Sequence, residues 1–362
     1  MDIPLELWRL IAYELQIRKD RQSLLSLCLA STTMNKNITP ILYNHVDLPT
    51  AVSVELFART IINSAFGLIP YIRTLTIGGY LNYRQWDRIQ FSYSTAENLS
   101  LMLKSMSNLR ELTIATMAMD FSLCFDPLAL KPAFSLHKLV MPLMGTASFY
   151  KFLQSQQSIT EIHIGTEHTM GEVHFGLYLY QQPELLPNLT SIAAPISVLK
   201  GAVPGRPVSE IMIVTDLLDW TDPGVTIFSP STWEPILCGS RVPIKAVGLY
   251  QSSHSSDPWD QLVPALKQFS VHETLERVKI RESLDPPVTE LGKRDSLSER
   301  VAQMKMLKGF NKLESLEFGE MLHTPSPTAD VLCWLGNMSS LNAWKAYLPS
   351  LKYVKMYEVN VP

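Results

Sequence analysis

A chain of 362 residues has room for two modest domains, or for one small domain followed by an array of repeats. Apolar residues make up 46% and charged residues 18%, and 31 Lys+Arg against 34 Asp+Glu leave a formal charge of −3; this excludes a globally disordered chain and a polycationic nucleic-acid binder. Cys28, Cys124, Cys238 and Cys333 lie too far apart in sequence for a CxxC-type metal site or a dense disulfide framework, which implies a reducing compartment.

The opening segment, Met1 to Leu15, places Asp2, Glu6, Arg9 and Glu14 among its apolar positions, so it is expected to be neither a signal peptide nor a membrane anchor. No uncharged run approaches the roughly 18 to 20 residues needed to span a bilayer. A soluble protein of the cytoplasm or nucleus is expected, with no membrane and no nucleic-acid partner.

Residues 3–48 predict three short helices. Leu7, Leu10, Ile11 and Leu15 follow Pro4 at helical spacing. Asp20 is placed to cap a second helix carrying Leu24, Leu25, Leu27, Cys28 and Leu29, and Ser31 a third that holds Met34, Ile38, Ile41 and Leu42, with Pro40 interrupting it. A trio this small cannot bury so many apolar side chains against itself. Either the helices cap the rest of the protein, or part of their surface is made for a partner.

The residues Ile3-Pro4-Leu5-Glu6-Leu7, Leu24-Leu25-Ser26-Leu27-Cys28-Leu29-Ala30-Ser31 and Thr39-Pro40-Ile41-Leu42-Tyr43 resemble an F-box, particularly the form common in fungal proteins. The resemblance covers residues 3–48. It implies a helical domain over 1–50 that docks onto a Skp-family adaptor and, through it, a cullin-RING ubiquitin ligase. By the same resemblance Ile3, Pro4, Leu7, Ile11, Leu24, Leu25 and Cys28 become the adaptor contacts.

Beyond a linking helix over 51–69, the chain repeats itself. An apolar-x-x-apolar-x-apolar pattern recurs at Ile72-Leu75-Ile77, Leu109-Leu112-Ile114, Leu136-Leu139-Met141, Ile159-Ile162-Ile164 and Leu189-Ile192-Ala194. It continues at Val208-Ile211-Ile213, Ile244-Val247-Leu249, Leu275-Val278-Ile280, Leu313-Leu316-Phe318 and Leu351-Val354-Met356. Each unit ends in a period-two signal for a short strand, and helix-length stretches such as Thr95–Asn108, Ala147–Ser158, Pro258–Phe269, Ser296–Lys308 and Thr328–Trp334 lie between them. Parallel strands joined by helices predict an α/β fold for 70–362, an irregular leucine-rich-repeat-like solenoid with its strands on the concave face. The other reading of the recurrence is chance within a mixed α/β domain.

Residues between the apolar strand positions are expected to face solvent on that concave side. Glu111, Glu161, His163, Glu210, Arg277, Lys279 and Tyr353 are the candidates for holding an unknown protein target, with acidic residues early and basic ones late, so that the two ends carry unlike charge. The segment Gly78–Thr95, rich in Tyr, Trp, Phe and Arg, either contacts a target or tucks over the repeats. The stretches Gly201–Pro207 and Leu284–Gly292 read as surface loops. His163, Glu167, His168, Glu172 and His174 match no metal-site spacing. No G-x-S-x-G, G-x-G-x-x-G, G-x-x-x-x-G-K-[ST] or H-E-x-x-H string occurs, so no catalytic residue, cofactor or metal is expected. The function that follows is the non-catalytic target receptor of a ubiquitin ligase; its alternative is a repeat scaffold for protein binding with no ligase role.

Overall fold

In the computed structural model the described residues are 4–18, 20–63, 67–78, 93–114, 124–125, 132–142, 146–165, 171–214, 230–252, 259–283, 290–320 and 328–362. They fall into two compact units, one up to Ile159 and one from Thr160 onward.

The first unit opens with three helices, α1 (Leu5–Ile17), α2 (Arg21–Ala30) and α3 (Thr32–Leu42). Their boundaries follow from capping. The Asp20 carboxylate accepts from the Ser23 N–H at 3.0 Å and from its hydroxyl at 2.7 Å, and Ser31 Oγ accepts from the Met34 N–H at 3.1 Å. The sequence reading has Pro40 interrupt α3, but it sits in the last turn and the helix runs on to Leu42, at the cost of one backbone hydrogen bond that the proline cannot donate. Ala12, Leu24, Cys28, Ile38 and Ile41 form the core of the trio, with Leu15, Leu27 and Leu42 packed around it. Gln16 Nε2 donates to the Ile41 carbonyl at 2.7 Å and ties α1 to α3.

The two bonds from Ser23 hold the Asp20 carboxyl below its ordinary range. A depressed carboxyl stabilises the fold above the unfolded value of about 3.9 and loses that contribution as pH falls through the folded value. Asp20→Asn still caps but does not titrate. Acid titration by circular dichroism is therefore expected to show a shallower loss of helix in Asp20→Asn than in wild type, and superimposable curves would contradict the cap.

The repeats begin earlier than the pattern suggests. Strand β1 (His45–Leu48) pairs in parallel with β2 (Thr74–Ile77), so the repeats start at residue 45 rather than 70. Tyr43, Val46 and Leu48 already satisfy the six-residue pattern once Tyr is counted as apolar. The helix expected within 51–69 is α4 (Ala51–Asn63), which buries Val54, Ala58 and Ile61 and packs on β1 and on α5 (Tyr93–Ser105) as the helix of the first repeat rather than as a connection alone. Strands β3 (Glu111–Ile114) and β4 (Lys138–Pro142) follow in order, and α6 (Ala147–Ser155) closes the unit with Phe149, Phe152 and Leu153 buried. Val46, Leu75, Leu112 and Leu139 stand in register across the four strands.

The second unit continues the scheme. Its strands are β5 (Glu161–Gly165), β6 (Ser191–Ala194), β7 (Glu210–Val214), β8 (Ala246–Ser252), β9 (Arg277–Ser283), β10 (Ser315–Glu320) and β11 (Tyr353–Met356), with β6 to β11 each parallel to the strand before it. Ile162, Ile192, Ile211, Val247, Val278, Leu316 and Val354 form one row across them. Between them run α7 (Gly171–Gln181), α8 (Ile196–Ala202), α9 (Pro230–Leu237), α10 (Trp259–Gln268), α11 (Glu290–Met304), α12 (Thr328–Leu335) and α13 (Leu341–Lys345). All ten pattern units thus coincide with strands, as expected of an α/β repeat solenoid. A recurring backbone feature accompanies them: at the entries to β2–β4 and β6–β11 two successive N–H groups donate to one carbonyl of the preceding repeat. Ser209 and Glu210 do so to Thr190, Lys245 and Ala246 to Ser209, Glu276 and Arg277 to Lys245.

A last strand, β12 (Val359–Asn360), turns back antiparallel on β11. The turn residues Tyr357 and Glu358 both have positive φ, 46° and 67°, as a two-residue hairpin requires. Neither is glycine, so contacts must hold the conformation: Tyr357 is buried against Phe318 at 5.1 Å, and Glu358 accepts from Arg281 at 2.6 Å.

The stretch 201–207, expected as a surface loop, begins inside α8 and is largely buried: Gly201, Ala202, Val203 and Arg206 are buried and Pro204, Gly205 and Pro207 half-buried. Arg206 has no exposed surface, and its guanidinium donates to the carbonyls of Leu179, Gln182, Leu185, Gly201, Ala202 and Pro204. Residues 284–289 of the other expected loop lie outside the described residues, while 290–292 belong to α11.

Candidate interaction surfaces

Helix α1 is apolar on two sides. Ala12 and Leu15 face the core of the trio, whereas Leu7, Leu10 and Ile11, at i, i+3 and i+4, are 48%, 63% and 40% exposed; Ile17, seven residues after Leu10, is 75% exposed. Helix α2 adds Leu25 at 45% and Leu29 at 84%. An ordinary surface helix puts charged and polar residues on its outer face. Covering a Leu or Ile side chain is worth about 1.5 to 3 kcal/mol, so this face stores affinity for whatever would cover it.

The expected adaptor contacts divide on this basis. Leu7, Ile11 and Leu25 lie on the exposed face, and Pro4 is exposed at the N-terminus of α1, where its carbonyl accepts from the Leu7 N–H at 3.1 Å. Leu24 and Cys28 do not belong to that face. They are 2% and 6% exposed inside the trio, and burial pushes the Cys28 thiol up. Helical spacing alone cannot tell which side of an all-round apolar helix turns inward, and Leu10, Ile17 and Leu29 are the exposed residues that it missed. Ile3 lies outside the described residues.

The second candidate surface is the strand face turned away from the apolar rows. In the first unit it carries Glu111, exposed on β3, while Thr76, Thr113 and Val140 are buried rather than solvent-facing. In the second unit Ala193, Met212 and Val214 pack with Tyr250 into a small cluster of their own, so Met212 is buried as well.

Charged groups on the second unit's face are largely paired. Glu161 and His163 meet at 3.0 Å on β5. Arg277 on β9 reaches over Ala246 on β8 to Glu210 on β7, 3.1 Å away. The expected separation of unlike charge is therefore not present here, because Glu210 and Arg277 neutralise one another across a small residue. Arg281, whose side chain is 5% exposed, bridges to Glu317 at 3.3 Å and Glu358 at 2.6 Å, and Gly319 leaves it the room: a Cβ there would stand 2.5 Å from its Nη1. Lys355 also pairs with Glu358. The Tyr353 hydroxyl donates to Asn360 Oδ1 at 2.9 Å, and burial pushes its pKa up. Lys279, half-buried in the middle of β9, has no ion-pair partner among the described residues.

Among the described residues no three His, Cys, Asp or Glu side chains converge as metal ligands, and residues 166–170 of the His163–His174 stretch lie outside them, as do 79–92 of the aromatic segment. No helix among the described residues is long and apolar enough to cross a membrane.

No protein-family model matches the chain, and no curated protein is similar to it. A crystal structure of a Bacteroides fragilis protein from a structural genomics consortium aligns over 86% of this chain and 72% of its own, with 12% sequence identity and a TM-score of 0.40. The chain is an α/β protein of successive βα repeats that exposes an apolar helix face at its start and a strand face on which Lys279 has no ion-pair partner among the described residues.

Proposed function

We propose that the chain is the target-recognition subunit of a Skp-cullin-F-box type ubiquitin ligase: α1 and α2 grip a Skp-family adaptor, and the strand face holds a protein to be ubiquitinated. The observation that supports this reading is the exposed stripe Leu7, Leu10, Ile11 and Ile17, continued by Leu25 and Leu29, on helices whose inner faces already pack a core of their own. The chain then performs no chemistry. It raises the local concentration of a target's lysines beside the charged ubiquitin carrier, a gain that comes from proximity.

Capture of a purified Skp-family adaptor by the full chain tests the proposal. Wild type is expected to retain it, and Leu7→Asp/Leu10→Asp to lose it by a factor of about 30 or more, since anchoring side chains at interface centres are worth about 2 kcal/mol and upward. Both substitutions sit on the exposed face and leave the trio's core intact. Leu24→Ala, by contrast, is expected to lower the stability of the trio by about 2 to 5 kcal/mol because it empties a core position. A wild-type chain that retains no adaptor leaves the scaffold reading in its place.

A further inference from the structure

Strand β8 presents Ala246 and Gly248 on the open face, in register with Glu210 and Met212 on β7 and with Arg277 and Lys279 on β9. Two small residues between two rows of longer ones leave a depression of about 80 Å³. Its ends differ. Over Ala246 the Arg277–Glu210 pair closes the depression; over Gly248 the thioether of the largely buried Met212 fills the space a Cβ would need, with contacts at 2.2 and 2.3 Å, and forms the floor there. Lys279 stands on the opposite side.

The charges there do not balance. Glu317, on β10 in register with Lys279, also lines the depression, but Glu210 and Glu317 are bound to Arg277 and Arg281, so among the described residues no carboxylate pairs with Lys279. A half-buried cation next to apolar surface interacts more strongly with an incoming charge than one in open water. The lane is one strand wide, with neighbouring strands about 4.8 Å apart, so a helix about 10 Å across does not enter it, while a single side chain from an extended segment does.

We infer that this depression is a subsite for one anionic side chain of a bound protein segment, its head on Lys279 and its stem on Met212. The inference deepens the target-holding role proposed above and rests on it only for the origin of the segment. A carboxylate and a phosphate share the chemistry that Lys279 would recognise.

Fluorescence anisotropy with the full chain tests this, using labelled eight-residue peptide pools whose central position is fixed as Glu, as Gln or as phosphoserine. The Glu or phosphoserine pool is expected to bind about tenfold more tightly than the Gln pool, as a charge-assisted hydrogen bond allows, and the stronger of the two identifies the anion. Lys279→Met is expected to erase the preference and Lys279→Arg to keep it. Lys352→Met, which removes an equal charge from an exposed site beside Glu314, is expected to leave the preference unchanged. Indifference between the three pools, or a preference that survives Lys279→Met in a chain with a wild-type melting curve, overturns the inference. Adaptor capture is scored separately: capture without anion preference leaves the ligase reading and removes this one, and preference without capture does the reverse.

Discussion

Arg206→Met is expected to destabilise the second unit by about 3 kcal/mol or more, because it strips the partner from a group of buried backbone carbonyls. The guanidinium donates to six of them, with the closest contacts to Leu185 at 2.6 Å and Gln182 at 2.7 Å. Most are C-terminal carbonyls of α7 and α8 or of the turns that follow, where helical donors run out and each helix dipole has its negative end; of the six, Leu179 and Gln182 also accept a backbone N–H, from Gln182 and Leu185. Burial pushes the Arg206 pKa down to about 10, Glu184 counteracts part of that, and the group remains charged at neutral pH. Among the described residues no carboxylate bridges it, and the compensation comes from oriented peptide dipoles. Lysine offers three donors from a single atom in place of a planar fork, and Arg206→Lys is expected to recover only part of the loss. Hydrogen exchange across residues 171–214 reads the effect; protection equal to wild type in Arg206→Met would mean that the carbonyls find other donors.

Gly201→Ala sets two effects of opposite sign against each other. Alanine is the better helix residue by about 1 kcal/mol. Against that, a Cβ on Gly201 would stand 1.7 Å from the Gly176 carbonyl oxygen, and one on Gly176 would stand 2.2 Å from that of Ser197. These obstacles are backbone atoms, which cannot rotate away as a side-chain end can, so α7 and α8 would have to move apart around a tightly packed core. The clash is expected to win, with a net destabilisation of about 2 kcal/mol or more. A more stable Gly201→Ala variant in thermal or urea unfolding would show that the helix contact yields easily.

The repeats were legible because their signal is local. Within six residues the pattern names the entry residue and the two inward strand positions, and the structure puts Leu75, Leu112 and Leu139, or Ile211, Val247 and Val278, side by side. The first repeat escaped only because Tyr43 stands where the others carry an aliphatic residue. The candidate surfaces were legible in part. Leu7, Ile11 and Leu25 are exposed as the docking reading requires, but Leu24 and Cys28 turned inward, since α2 is apolar on more sides than one and its neighbours choose between them.

What the amino-acid order determines by itself here is where strands and helices fall, the caps at Asp20 and Ser31, and the alternation that separates core rows from the open face. Those features depend on hydrogen bonds and periodicities spanning a few residues. The tertiary structure alone decides that Arg206 sits among carbonyls up to 27 residues away, that Glu210 meets Arg277 across β8, and that Lys279 has no ion-pair partner among the described residues. Such outcomes depend on which strand lies beside which and on how closely two helices approach, distances that no short stretch of the chain encodes.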